Sequence, residues 1–450
     1  MARSTKPRPP LPAGPYLVAG LARSGVGAAL ALRARGAVVI GSDTGSDADP
    51  ALRAAAQRLF AAGVEVHLNA SGDALAARAG TLIKSPGVPQ NAPIVRAART
   101  RGILVVGELE LAWRLLENEF VAVTGTNGKT TTTEWIGHIH REAGLPVAVA
   151  GNVGTAATSL VGRLAPDTTV VCEASSFQLE DTDAFSPEAA VLLNLFADHL
   201  DRHGSFEDYV AAKLRIFANQ GNDDVAVAPA ALGIEDLGGC ARRVLFGADP
   251  GAQLSERAGH LWWDERPLVE VDRISLPGEH NRQNAMAAAA VCLARGIDPS
   301  AVAAGLESFV GVAHRLEQIA VRDRVRWVND SKATNVASTN VALAAYPDDV
   351  HLIAGGRGKG QDFAPLAPLV AARCKAVYLI GEATPDLAAA LAPTGVPLHE
   401  VGDLEHAVAG ARAAAQPGEV VLLSPACASY DQYRDFEARG EHFRALVEGL

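Results

Sequence analysis

Short apolar runs alternating with amphipathic stretches organise this chain from residue 16 onward. The run at 16–19 passes through a glycine-containing turn into a helical pattern ending near Arg35. A second run, 37–41, ends at Ser42, Asp43 and Thr44, and a third, 81–84, breaks at Ser85, Pro86 and Gly87. The rhythm returns at 120–123, followed by a helical pattern from Lys129 to about Ala143, then at 170–173 and 190–195. Late in the chain it recurs at 325–328, 350–354 and 420–423. Strands separated by helical segments build parallel sheets with helices packed on their faces, so the pattern predicts an α/β fold. Its breaks predict a disordered tail over 1–14 and three domains, 15–116, 117–311 and 312–450. The first and third are expected to be Rossmann-like, and the central one to carry a parallel-rich sheet behind a P-loop.

In open parallel sheets, ligands bind beyond the C-terminal ends of the strands, and here those ends are polar. The most informative is the turn Gly125, Thr126, Asn127, Gly128, followed by Lys129, Thr130 and Thr131 at the start of a helix. Glycines let backbone N–H groups converge on phosphate oxygens, the helix N-terminus favours negative charge, Lys129 adds a point charge, and a threonine hydroxyl can reach Mg²⁺. The general P-loop pattern would place its first glycine at Val123, so the match is partial and a tight strand-to-helix turn is the alternative. ATP is the expected ligand. The earlier turn from Gly20 to Gly25 is a weak dinucleotide fingerprint, because Ala22 stands where the middle glycine lets a pyrophosphate approach. The turn at 85–88 reads equally as a plain loop or a phosphate-approach point. Glu173 with Ser175 and Ser176, and Asn194 with Asp198 and His199, follow two central strands. In the third region, polar turns at 329–335, 355–360 and 424–431 mark one edge, although ordinary helix caps favour the same residue types.

A helix is expected over 205–219, opened by Ser205 with Asp208 three residues on. At 100° per residue Phe206, Val210, Lys213 and Phe217 share a face, which puts Lys213 inside an apolar stripe. Such a lysine either extends its head to water or, if buried, becomes a neutral and reactive amine.

Bulk properties narrow the class. A net charge of −11 argues against a nucleic-acid partner. Five cysteines, odd in number and never spaced Cys-x-x-Cys, read as free thiols in a reducing compartment without a zinc site. No apolar run approaches membrane-spanning length, and the basic, proline-rich start lacks the apolar segment of a secretion signal. A cytoplasmic enzyme, not inserted in a membrane, is expected.

Residues 124–133, 173–180, 198–202, 212–215, 280–284, 329–335 and 423–431 resemble, in this order and spacing, the motifs of the Mur ligase family. The resemblance covers essentially the whole chain after the tail. Segments 175–180 and 424–429 are most similar to the glutamate-adding members. The P-loop is shared by all the ligases and by folylpolyglutamate synthase. The resemblance implies a peptidoglycan-precursor ligase. ATP would phosphorylate the alanine carboxylate of UDP-N-acetylmuramoyl-L-alanine, and D-glutamate would attack the acyl phosphate. It implies that Lys129 holds ATP phosphates, that Thr130 and Glu173 carry one Mg²⁺, and that His199 ligates a second. Lys213 matches a lysine carried as a carbamate that bridges the metal site. Asn281, Arg315 and Asp330 would contact ATP, and Lys332 would steady the transferring phosphate. For the UDP-sugar it implies Arg23, Ser24, Asp43 and Thr44 at the uracil, and Gly87 with Asn152 at the pyrophosphate. Thr334, Lys359, Ser429 and Phe436 would grip glutamate. Ala22 and Tyr430 depart from the family pattern. A monomer is expected. Another amide-forming ligase of the superfamily, or a nucleotide-regulated protein with an NAD-type first domain, are the competing readings.

Overall fold

A computed structural model describes residues 6–152, 154–249, 251–276, 278–358 and 360–450. They divide into two compact units, the first ending at Phe309 and the second running Val310–Leu450. The first unit carries two sheets and the second carries one.

The first sheet contains β1 (Tyr16–Ala19), β2 (Val39–Ser42), β3 (Glu65–His67), β4 (Thr81–Lys84) and β5 (Leu104–Gly107), in the order β3-β2-β1-β4-β5 and parallel throughout. The order reverses at β1/β4, which opens a crevice at the strand ends, as in Rossmann-like sheets. Tyr16, Leu17, Val18 and Ala19 are all buried, as expected for a strand covered on both faces. In the helix Arg23–Ala34, a Cβ on Gly25 would overlap the Gly20 carbonyl oxygen, so this glycine allows the helix to pack on the strand turn.

The second sheet contains β6 (Phe120–Thr124), β7 (Val147–Gly151), β8 (Thr169–Glu173), β9 (Ala189–Leu192), β10 (Val225–Pro229), β11 (Arg242–Gly247), β12 (Leu254–Arg257), β13 (His260–Trp263) and β14 (Arg266–Glu270). Its order is β14-β13-β12-β11-β10-β9-β6-β8-β7. Seven strands run parallel, and β12, β13 and β14 close one edge as an antiparallel meander. Phe120, Ala122, Val170, Cys172, Ala190 and Leu192 bring β6, β8 and β9 into one buried core beneath the P-loop.

The second unit holds β15 (Glu317–Arg322), β16 (Val325–Asn329), β17 (Val350–Gly355), β18 (Cys374–Ile380), β19 (Leu398–Gly402) and β20 (Val420–Leu423), in the order β15-β16-β20-β17-β18-β19. Only β15 pairs antiparallel. Two apolar clusters, one around Leu352 and Leu422 and one around Ile353 and Trp327, cover its two faces.

Two expectations are corrected. Of the stretch 1–14 expected to be a disordered tail, residues 1–5 lie outside the described residues, and the remainder is tied down from Lys6 onward. Lys6 Nζ reaches Asp224 Oδ2 at 2.5 Å and Ser186 Oγ at 2.6 Å. The Arg8 guanidinium lies 4.6 Å from the centre of the Trp113 ring, pairs with Glu188 at 3.0 Å and donates to the Asn118 carbonyl at 2.6 Å. Its prolines carry no N–H, so an extended segment can lie against the body with few donors left over. The helix expected over 205–219 spans Phe206–Leu214 and then tightens into single turns through Phe217. No helix among the described residues is long and apolar enough to cross a membrane.

Candidate active site

Strand β6 ends at Thr124, and the chain turns through Gly125 (φ 152°) and Gly128 (φ 83°) into the helix Lys129–Glu142. Both glycines occupy backbone conformations that other residues reach only with strain. A Cβ on Gly128 would also overlap the Asn284 side chain. Asn194, just past β9, clamps the turn: its Oδ1 accepts from Asn127 N at 2.9 Å and its carbonyl from Thr126 N at 3.1 Å. Thr126 Oγ1 lies 2.9 Å from the Tyr209 hydroxyl. The result is a rigid ring of backbone at a helix N-terminus, the geometry that binds phosphate.

Lys129 Nζ donates to the Gly125 and Thr126 carbonyls at 2.9 and 2.8 Å. Lys213 is 2% exposed, so it does not extend to water. Its Nζ donates to the same Gly125 carbonyl at 2.7 Å and lies 4.6 Å from the Tyr209 ring centre. Desolvation first, and the Lys129 charge second, bring this ammonium down to about 7, although Asp198 and Glu173 oppose the shift. Thr130 Oγ1 donates to Glu173 Oε2 at 2.8 Å, which joins the first turn of the helix to the end of β8. A hydroxyl beside one carboxylate is the donor set Mg²⁺ uses when phosphate and water complete its shell. No cluster of three His, Cys, Asp or Glu side chains that could hold a metal occurs among the described residues. His199 adopts φ 53°, is half exposed and stands against Phe177 with ring centres 4.9 Å apart. Thr131 is buried within the helix, and Asn281 lies in the first turn of the helix Glu279–Ala294.

A cleft of about 870 Å³ opens at the reversal point of the first sheet. Arg23, Ser24, Asp43, Thr44, Gly87 and Asn152, the residues expected at the UDP-sugar, all line it. Asp43 is pre-organised, accepting from Leu21 N at 2.7 Å and Gly45 N at 2.8 Å. Arg23 reaches across to the Gly154 carbonyl at 2.6 Å. Ala22, at the N-cap of the helix, lines the cleft where a dinucleotide fold has a glycine. The cleft adjoins the P-loop edge: Asn152 N donates to the Glu173 carbonyl at 3.0 Å, and a Cβ on Gly151 would overlap that same oxygen.

In the second unit, Asp330 follows β16, is buried and is pushed up to about 7 by desolvation. Ser424 Oγ donates to its Oδ2 at 2.7 Å, and Leu316 N to its Oδ1 at 3.1 Å. Lys332 and Thr334 occupy the turn that follows, where Lys332 N donates to the His314 carbonyl at 3.0 Å and Thr334 N to the Lys332 carbonyl at 2.9 Å. Arg315 lies in the turn before β15, Ser429 is buried after β20, and Phe436 opens the helix Phe436–Glu448. Lys359 lies outside the described residues. Tyr430 is exposed.

Asn194 clamps the P-loop through two hydrogen bonds and Asn284 lies against Gly128, both in polar stretches that the sequence had marked. The residue that sequence reasoning missed is Arg439. Arg439, buried in the last helix, donates to the Ser331 and Cys427 carbonyls at 2.9 and 3.1 Å and to the Gly355 carbonyl at 3.4 Å. It thereby ties three strand-end turns together. A charged residue at a core position of an otherwise amphipathic helix was the available signal.

Fold and site together define a P-loop α/β protein with a second, roomy cleft beside the phosphate cradle. Residues 123–292 match the family model described as the Mur ligase middle domain, and residues 314–427 match the Mur ligase glutamate ligase domain. The UDP-N-acetylmuramoylalanine–D-glutamate ligase of Pelotomaculum thermopropionicum is 41% identical, covering 96% of this chain and 97% of its own. The ligase of the same name from Acidobacterium capsulatum is 42% identical, covering 96% and 95%. Among solved structures, UDP-N-acetylmuramate-alanine ligase from Thermotoga maritima shares the fold, with a TM-score of 0.56 at 21% identity over 97% of this chain and 100% of that one. The chain belongs to the Mur ligase family.

Proposed function

We propose that this protein joins D-glutamate to the L-alanine carboxylate of UDP-N-acetylmuramoyl-L-alanine, with conversion of ATP to ADP and phosphate, in the cytoplasmic assembly of a peptidoglycan precursor. One structural observation carries the reading. A continuous path of contacts runs from the cleft at Asn152, through Glu173, to Thr130 at the mouth of the phosphate cradle. A ligand lying in the cleft with its carboxylate toward Glu173 would meet a nucleotide phosphate there. Relatives about 40% identical along nearly the full chain, all bearing the D-glutamate ligase name, support the choice of substrates.

On this reading residues 15–116 form the UDP-binding domain, 117–311 the ATP-binding domain and 312–450 the glutamate-binding domain. The carboxylate oxygen attacks the γ-phosphorus, ADP leaves, and an acyl phosphate results. The glutamate amine then adds to the acyl carbon, phosphate departs, and the amine's proton passes to solvent or a nearby base. Both steps bring anions together, so catalysis is mainly positioning and charge stabilisation. Lys129 and the 125–131 backbone hold the nucleotide phosphates, Asn281, Arg315 and Asp330 the rest of the nucleotide, and Lys332 the transferring phosphate. Thr130 and Glu173 would hold one Mg²⁺ and His199 a second, with Lys213 as a carbamate supplying an anion to the metal site as a whole; the ions would neutralise charge on the phosphoryl oxygens. Lys213 suits that role because a neutral buried amine is the form that reacts with carbon dioxide. Arg23, Ser24, Asp43 and Thr44 hold uridine, and Gly87 and Asn152 the pyrophosphate. Thr334, Lys359, Ser429 and Phe436 hold glutamate.

Oxygen tracing tests the chemistry. With ¹⁸O in the alanine carboxylate, one labelled oxygen should appear in the released phosphate. Phosphate free of label would exclude the acyl phosphate.

A further inference from the structure

The turn at residues 85–88 lines the cleft, and it is held from beneath. Lys84, the last residue of β4, is fully buried, and its Nζ donates to the Val88 carbonyl at 2.8 Å. The same ammonium pairs with Asp181 Oδ2 at 2.7 Å, with both side chains almost wholly excluded from water. Gln90 Nε2, two residues past the turn, donates to Asp181 Oδ1 at 2.9 Å and to Glu180 Oε2 at 3.0 Å. Arg202 donates to the Pro86 carbonyl at 3.1 Å while its guanidinium lies 3.8 Å from the Phe177 ring centre. The turn is thus tied to the segment that follows β8, the strand ending in Glu173.

That segment is itself braced. Glu180 Oε1 lies 2.8 Å from His203 Nδ1, and His203 Nε2 lies 3.0 Å from Ser176 Oγ. The order carboxylate, imidazole, hydroxyl is that of a hydrolytic triad. Ser176, however, is 3% exposed, so no acyl group can reach it. The chain of contacts acts as a strut.

We propose that Lys84 and Asp181 are positioning residues for the UDP-sugar. Their buried ion pair fixes the 85–88 turn, and with it the bare backbone at Gly87, at the distance from the phosphate cradle that a bound pyrophosphate requires. The inference rests on the reading of the cleft as the UDP-sugar site. An ion pair withdrawn from water is an expensive way to hold a turn, and apolar residues of similar volume would hold a fold as well. What the pair adds is direction. The lysine aims one donor at the Val88 carbonyl, and the Asp181 carboxylate 2.7 Å away holds the ammonium beneath the turn.

The test uses the full chain. Lys84→Met alone strands Asp181 and is expected to lower Tm. The double variant Lys84→Met/Asp181→Leu removes both charges, and should fold with Tm near that of the unsubstituted protein. Titration with UDP and with UDP-N-acetylmuramoyl-L-alanine should show about a tenfold loss of affinity in the double variant, with a matching rise in KM for the UDP-sugar. The KM for ATP and kcat at saturating UDP-sugar should stay within about twofold, a split that a purely structural role would not produce. Unsubstituted protein that binds UDP, with a double variant that binds it equally well, would overturn the positioning role alone. Unsubstituted protein that binds neither ligand would overturn the cleft assignment, and this inference with it.

Discussion

Lys129 and Lys213 donate to the same acceptor, the Gly125 carbonyl oxygen, at 2.9 and 2.7 Å. Two ammonium groups on one oxygen repel, and the buried member yields: Lys213 falls to about 7, with desolvation the larger cause. An unfolded chain holds that proton up to about pH 10.4. Below about 7 the folded protein therefore bears the full cost of a buried charge. Between about 7 and 10 the unfolded state binds more protons than the folded one, so this group makes stability rise with pH, by up to about 1.4 kcal/mol per unit. Lys213→Met should be the more stable protein at pH 7, and its advantage should shrink steadily toward pH 10. Urea unfolding of the ligand-free protein across that range measures it, and an advantage independent of pH would refute the assignment.

Lys129 also donates to the Thr126 carbonyl from the first position of the P-loop helix. Lys129→Ala removes the cradle's point charge without disturbing the cleft lining, of which Lys129 is no part. ADP formation should fall by about a thousandfold or more, the scale for removing a cation that stabilises phosphoryl transfer. UDP-sugar affinity should stay within about threefold. Near-normal turnover would remove Lys129 from the nucleotide site.

Gly87 has open space where a Cβ would stand. Among the described residues nothing would crowd an added methyl, so on the proposed reading only a ligand lying against this turn would meet it. Gly87→Ala should fold with an unchanged Tm yet bind UDP about tenfold more weakly, a loss of about 1.4 kcal/mol. Unchanged UDP affinity would return this turn to the plain-loop reading.

Arg439 holds three turns by their carbonyls and is itself brought down to about 10 by burial. Arg439→Met should leave those oxygens without a partner and destabilise the second unit by about 3 kcal/mol. The first unit should be spared, so differential hydrogen exchange should localise the loss to the 331, 355 and 427 turns. Uniform loss across both units would contradict that role.

Much of this was legible in the sequence because it rests on local signals. The 121–133 stretch combines an apolar run, glycines and a helical period, and it folds as strand, turn and helix at Phe120–Thr124 and Lys129–Glu142. The six cleft residues come from four places in the chain: Arg23 and Ser24 open the helix Arg23–Ala34, and the others lie just past β2, β4 and β7. The antiparallel meander Leu254–Glu270 was not legible, since its strands are short and one contains Pro267. Nor was the anchoring of residues 6–14, which depends on Trp113, Glu188 and Asp224, more than a hundred positions away. From position alone Lys213 reads as a lysine reaching water. Tyr209, one helical turn earlier, is a neighbour that periodicity supplies, but the Gly125 carbonyl that receives the ammonium comes from a distant part of the chain and is not encoded by it.

The central claim is tested most directly by ADP release with UDP-N-acetylmuramoyl-L-alanine, ATP and Mg²⁺, comparing D-glutamate, L-glutamate and no amino acid. The account predicts sustained turnover with D-glutamate alone. Turnover with L-glutamate in preference, or none in any tube while ATP still binds, would contradict it.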